Sequence, residues 1–288
     1  MKHAKMKLYM LIYLTVVTIC VFFVALCQSM ISMNIGVLIL IIFVAAIPVA
    51  AGVLKLLFIR EMAKPYAKLH KEFMDEIWTN GYTDKVRELG EQALAADDAG
   101  EEIGFSYLKD FCFYLSDYYN LFGQHEKVFT IMRHVDGEAL TSQSTKLFDG
   151  GISVLTYFGV LMEAARGLNS KESAVNIMSD AKQYLDGKYK LDLFYMMADL
   201  TYYNYFVIMG DYDTAKKYVD KIFSYKSLGV DKFFSKYYAA AEIVMLTEGD
   251  KDKARAILEQ GWSMCDKDKK VVKQAFDEFY KRLGLEDA

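Results

Sequence analysis

Proline is nearly missing from this 288-residue chain: Pro48 and Pro65 are its only two, so the last 223 residues have none. Proline removes a helical donor and clashes with the preceding turn, so nothing of that kind interrupts a helix beyond Pro65. Acid is missing too, from residues 1–60, which hold five basic side chains, Lys2, Lys5, Lys7, Lys55 and Arg60. The other 228 residues carry 29 basic and 38 acidic side chains, a net charge of −9. Affinity for nucleic acid comes largely from Lys and Arg displacing counterions, so an acidic domain of this kind is not expected to bind it.

The motifs that carry chemistry are missing as well. No CxxC pair or Cys/His cluster occurs: Cys20 and Cys27 lie in an apolar run, and Cys112 and Cys265 stand far apart in helical patterns. This usage fits a reducing compartment and argues against a disulfide framework or a structural zinc site. His3, His70, His125 and His134 never pair with one another at i, i+3 or i, i+4, and they read as surface helix histidines. The segment "HEKVFTIMRH" is not HExxH, and "GDKDKARAILE" alternates acid with base instead of following a calcium loop. The nearest glycine-rich run, "DGGISVLTYFG", has no Lys or Ser/Thr where a phosphate loop needs them, and reads as a break in a long helix. Cys112 sits among aromatics in "DFCFYLSDYY", the setting of a buried inert thiol. No metal, cofactor or catalytic residue is expected.

Two long apolar runs are present. Leu8–Cys27 and Ile35–Leu54 each have 20 residues without a charge, enough to cross a hydrocarbon core of roughly 30 Å as a helix. A signal peptide accounts for the first run alone; the second follows after only "QSMISMN", which suits a tight helical hairpin. Lysines precede the first run, the link has none, and Lys55, Arg60, Lys64, Lys68 and Lys71 follow the second. Under the positive-inside rule both termini are expected in the cytoplasm, with the chain integral to a membrane, the plasma membrane of a bacterium. The runs contain no Asp, Glu, His or Arg, so they read as an anchor without an ion path. The expected organisation is a basic N-terminus (1–7), first span (8–27), external loop (28–34), second span (35–59), juxtamembrane helical linker (60–71), helical repeats (72–266) and a capping helix with tail (267–288).

Beyond Pro65 apolar positions recur at helical spacing, and a turn recurs among them. Gly210 is followed by Ala215 at plus five, Tyr218 and Val219 at plus eight and nine, and Ile222 at plus twelve. The same frame fits Gly81, Gly123, Asn169 and Gly249, with Val86, Val128, Ala174 and Ala254 at plus five. The five turn residues stand 42, 46, 41 and 39 apart, so each unit is expected to be a pair of helices of roughly four turns. The glycine or asparagine takes the left-handed conformation that ends a helix, and the small or branched residue at plus five sits where two helices cross closely.

On these residues, "GDYDTAKKYVDKI" and "GDKDKARAILEQG" above all, the chain resembles tetratricopeptide-type repeats, which favour Gly, then Tyr or Asp, then Ala at this spacing. The likeness covers about 66–265, with a period above the usual 34 residues, Val for Ala in the first two units and Asn at the third turn. The resemblance implies a TPR-like alpha-solenoid, all-α, of about five helix pairs, curved so that the first helix of each pair lines a concave face that binds a peptide or protein segment.

Six positions before the turns stand Asp75, Asp117, Glu163, Asn204 and Ile243. Asn120 and Arg166 follow Asp117 and Glu163 on the same helix face. With Tyr114, Tyr118, Tyr203 and Trp78 these polar residues read either as a partner-binding strip, whose acids favour a basic peptide, or as a solvated face beside an aromatic core. The leading expectation is a membrane-anchored cytoplasmic scaffold or adaptor that binds a protein or peptide, another membrane protein included. The alternative is an enzyme or enzyme subunit whose site is assembled only by folding.

Overall fold

The computed structural model describes residues 66–137, 139–140, 150–189, 191–225, 233–265 and 269–286. The chain divides into two compact units, Met1–Ala67 and Lys68–Ala288, and the architecture below is that of the second. Both apolar runs, with Pro48, Cys20, Cys27 and His3, lie outside the described residues. Among the described residues no helix is long and apolar enough to cross a membrane.

The fold is all-α, with eleven helices and no strand among the described residues. In chain order they are α1 (Ala67–Asn80), α2 (Asp84–Asp98), α3 (Phe105–Leu121), α4 (His125–Met132), α5 (Gly150–Gly167), α6 (Lys171–Leu185), α7 (Asp192–Met209), α8 (Tyr212–Ser224), α9 (Phe234–Thr247), α10 (Lys251–Met264) and α11 (Lys270–Arg282). The first ten fall into five successive hairpins, and the turn in each is the one the spacing predicts. Gly81, Gly123, Gly210 and Gly249 have φ of 82, 71, 81 and 68°, and Asn169 has φ 50°. Asparagine is the residue that most readily replaces glycine there, because its short polar side chain tolerates the left-handed region. In three turns the next residue donates back to the carbonyl five positions before the turn's end: Gln124 to Tyr119 (2.8 Å), Ser170 to Ala165 (2.9 Å) and Asp211 to Phe206 (3.0 Å). These bonds satisfy carbonyls that the ending helix leaves open.

Four of the five second helices then start on a side-chain cap, α4 being the exception. Thr83, Ser170, Asp211 and Asp250 accept side-chain hydrogen bonds from the main chain of Val86, Ser173, Thr214 and Lys253, each worth about 1 kcal/mol. The plus-five residues Val86, Val128, Ala174, Ala215 and Ala254 have no exposed surface. In the last hairpin the plus-twelve residue is a glycine for the same reason: a Cβ on Gly261 would stand 2.5 Å from Tyr237 Cγ. Along the array α3, α5, α7 and α9 pack successively on one another, while α2, α4, α6 and α8 each pack on the next first helix. This pattern places first helices in one layer and second helices in another.

The C-terminal helix departs from a simple cap. Phe276 and Phe279 do pack on the last hairpin, Phe279 stacking on Tyr238 at 4.1 Å and Phe276 meeting Trp262 at 4.9 Å, and Leu283 and Leu285 are buried beyond the helix end. But α11 also reaches the opposite end of the array. Gln274 accepts from the Tyr82 amide (2.7 Å) and donates to the Tyr82 carbonyl (3.1 Å), and Gly81 leaves room for it, since a Cβ there would overlap the Gln274 amide. Of the glycine-rich run, Asp149 lies outside the described residues, Gly150 is the first residue of α5 and Gly159 lies inside that helix.

Candidate functional site

The first-helix layer and α11 enclose a cavity of about 600 Å³, within the range of small-ligand pockets. One wall comes from the six-before-the-turn positions of three successive hairpins, Asp117 on α3, Glu163 on α5 and Asn204 on α7, with Arg166 and Tyr203 beside them. The facing wall is α11, through Glu278, Phe279 and Arg282, and α9 adds Tyr238. The period that sets the turns therefore also brings these side chains together, since equivalent positions on stacked first helices share a face.

Arg166 is held on every side. It donates through Nη1 to Asn204 Oδ1 (2.6 Å) and through Nη2 to the Tyr238 hydroxyl (3.3 Å) and to Glu242. Glu242 also accepts from the Tyr203 hydroxyl, and the guanidinium lies 5.5 Å from both tyrosine ring centroids. Burial works against the Arg166 charge, but Glu242 and the two tyrosines hold it firmly in place. Arg282 donates to the carbonyls of Asn120 (2.6 Å) and Leu121 (2.8 Å) and pairs with Glu278 at 3.5 Å.

The carboxylates are less well matched. Asp117 accepts one long bond, 3.4 Å, from the Tyr82 hydroxyl. Burial and then the Glu163 charge push its carboxyl up to about 7, against the opposing Tyr82 bond. Glu163 is raised as well, by burial, with Arg282 and Arg166 pulling it back; its nearest cation is Arg282 at 3.9 Å. The imidazole of His125 faces the same cavity and is lowered by burial and by Arg282.

The remaining residues of the expected strip lie elsewhere. Asn120 is 1 % exposed and donates to the Val160 carbonyl (3.2 Å), with His125 Nδ1 3.1 Å from its oxygen; it bolts α3 to α5 and has no free face. Tyr118 is buried and reaches Asp84 at 3.4 Å. Trp78 and Tyr114 meet edge to face at 6.2 Å, and exposed Asp75 pairs with Lys71; none of the three lines the cavity. The three described histidines are not free surface groups: His70 and His134 lie 3.0 and 2.7 Å from Asp110 and Asp97, and His125 is described above. Cys112 has no exposed surface, and burial raises its thiol. Among the described residues no three His, Cys, Asp or Glu side chains are grouped to hold a metal.

Sequence reasoning missed Tyr238, Glu242, Glu278, Phe279 and Arg282. Glu242 supplies the acid of the fifth hairpin one position before Ile243, which is itself buried at 4 %. Compared with protein-family models, curated proteins and solved structures, the chain has no match.

Proposed function

We propose that the chain is a helical-repeat binding module of TPR-like type, held at a bacterial plasma membrane by residues 8–59 and facing the cytoplasm. Its first-helix layer receives a protein segment. The observation that carries this reading is the convergence of Asp117, Glu163, Arg166 and Asn204 from three consecutive hairpins on one cavity, as expected for the ligand-facing side of an alpha-solenoid. The two apolar runs and their basic flanks support the membrane placement, and confinement there raises the effective concentration of membrane-bound partners.

Site-specific photocrosslinking with the full chain in its native membrane tests this reading. A photoreactive side chain at Thr156 or Ser235, which line the cavity, is expected to capture one protein reproducibly. The same group at exposed Glu172 or Lys216 on second helices is expected to capture none. Equal capture from both sets overturns the reading.

A second reading, an enzyme, is favoured by one observation: His125 faces the same cavity as Asp117 and Glu163, and a carboxyl poised near neutrality is suited to proton transfer. It predicts a small molecule turned over by the intact protein and left unchanged by His125→Gln.

A further inference from the structure

The charges around the cavity do not balance. The Arg166 guanidinium is answered by Glu242 behind it, and Arg282 by Glu278 and two main-chain carbonyls. Neither is left to neutralise Asp117, which accepts the long bond from the Tyr82 hydroxyl. Glu163 has only the distant edge of Arg282, at 3.9 Å. Two carboxylates from adjacent hairpins, Asp117 half-buried and Glu163 with 39 % of its side chain exposed, thus face one recess whose two guanidinium groups are already engaged.

The rest of the wall suits an organic cation. Tyr238 and Phe279 stack at 4.1 Å at the cavity wall, and Tyr203 and Phe233 add further rings. Aromatic faces attract ammonium and guanidinium groups most when both are desolvated, and these rings already hold two of the chain's own, Arg166 over Tyr203 and Tyr238 and Arg282 over Phe279. The asparagine Asn204 supplies a neutral polar neighbour. A cavity of about 600 Å³ has room for a long basic side chain or a small amine.

We propose that this cavity seats a single organic cation, an ammonium or guanidinium group, with Asp117 and Glu163 as its counter-charges and the Tyr238–Phe279 ring pair as its apolar wall. The inference rests on the binding-module reading and specifies what the received segment presents, a lysine or arginine side chain; a free amine shares that chemistry. A proton competes with the cation for Asp117, which titrates at about 7 because of burial and Glu163. The groups facing Asp117 are Tyr82 from the first turn, Tyr114 on its own helix, His125 on α4, Glu163 and Arg166 on α5, and Glu278 and Arg282 on α11. Of these, the tyrosines stay neutral with raised pKa and His125 is lowered, so near neutrality the pH response comes from Asp117.

The test is calorimetric titration of the full chain in detergent or nanodiscs with four probes: methylguanidinium, n-butylammonium, an end-capped alanine nonapeptide with one central arginine, and the same peptide with neutral citrulline. The arginine peptide is expected to bind and the citrulline peptide to bind at least about tenfold more weakly, since a charge-assisted pair is lost. Binding is expected to be about tenfold weaker at pH 6 than at pH 8 as Asp117 takes up its proton, and Asp117→Asn to lose about tenfold at pH 8, while Asp75→Asn leaves it unchanged. Glu163→Gln is the second variant, and the citrulline comparison on the unaltered chain stands even if both variants misfold. Free ions binding as tightly as the peptide identify a small amine as the ligand; a much tighter peptide identifies a protein side chain. Equal binding of citrulline and arginine, an unaffected Asp117→Asn, or no cation bound up to about 10 mM overturns the inference. If Thr156 and Ser235 still capture a protein in that case, the binding-module reading survives alone. If cations bind but no protein is captured, the cation site stands and that reading falls.

Discussion

Arg282 and Asn120 lie 162 residues apart in the chain, yet the Arg282 guanidinium donates to the Asn120 carbonyl at 2.6 Å, and to that of Leu121 at 2.8 Å. These carbonyls lie at the C-terminal end of α3, where positive charge is favoured by the helix dipole, and that of Asn120 also accepts from the Gly123 amide at 3.3 Å. Arg282→Ala is expected to destabilise the protein by about 2–3 kcal/mol, the range for hydrogen bonds to a charged group. Arg282→Lys should recover only part, because an ammonium that meets both carbonyls lacks the Nε donor that reaches Glu278 at 3.5 Å. Denaturant unfolding followed by circular dichroism measures both.

The Arg166–Glu242 pair is enclosed, with side chains 15 % and 12 % exposed. Removing one partner strands the other, so Arg166→Ala is expected to cost about 3–5 kcal/mol. Adding Glu242→Gln should restore a large part of that loss. A double-mutant cycle on thermal or denaturant unfolding reads the coupling, and additive losses would show that the two do not act as a pair.

Asp117 sets a pH dependence of opposite sign to that of a salt-bridged acid. Its folded pKa, about 7, lies above the usual carboxylate value because of burial and Glu163, so between about pH 4 and pH 7 the folded state holds more protons than the unfolded. Its contribution to stability is therefore best below pH 4 and is progressively lost as pH rises to 7. Asp117→Asn is expected to stabilise the protein by about 2 kcal/mol at pH 8, the full shift being discounted because Asp117 is only half-buried, and to confer nothing at pH 4. Unfolding midpoints across that range check it; a gain that is constant with pH would refute it.

At the third turn, Asn169 has φ 50°. Asn169→Gly is expected to be neutral or slightly stabilising, whereas Asn169→Ala should cost about 1 kcal/mol for a Cβ in the left-handed region without the side-chain compensation. At the close helix crossing, Ala215→Leu should cost about 1–3 kcal/mol by overpacking, since Ala215 has no exposed surface.

Thiol labelling separates the two described cysteines. Cys112 has no exposed surface and burial raises its thiol, while Cys265 is partly exposed and less perturbed in its setting. A maleimide should modify Cys265 first and Cys112 only after denaturation. Cys112 is therefore silent as a reporter of membrane sidedness, and an exposed replacement such as Glu172→Cys is the informative probe. Labelling there from outside intact cells would overturn the cytoplasmic placement.

The turns and the buried stripe were legible in the sequence because each depends on a few adjacent residues: a left-handed stop at Gly210, a cap at Asp211, a small side chain at Ala215. The inner wall of the cavity was legible one step further, because Asp117, Glu163 and Asn204 hold the same place in stacked units. The outer wall was not. Gln274 and Arg282 act on Tyr82 and Asn120, and no local pattern in "KQAFDEFYKR" marks main-chain groups so far away as their partners. Asn120 shows the converse error: its position on the helix face was right, but α5 lies against that face and takes its side chain.

The link between Gln274 and Tyr82 has a temporal consequence. On the ribosome the hairpins emerge in order, and each can settle on its predecessor as soon as it appears. Phe279 and Arg282, which form the wall facing the first helices, follow all five hairpins in the chain. A nascent chain that has released its five hairpins but not α11 would have the stack without the finished cavity, so the site closes one step after the array.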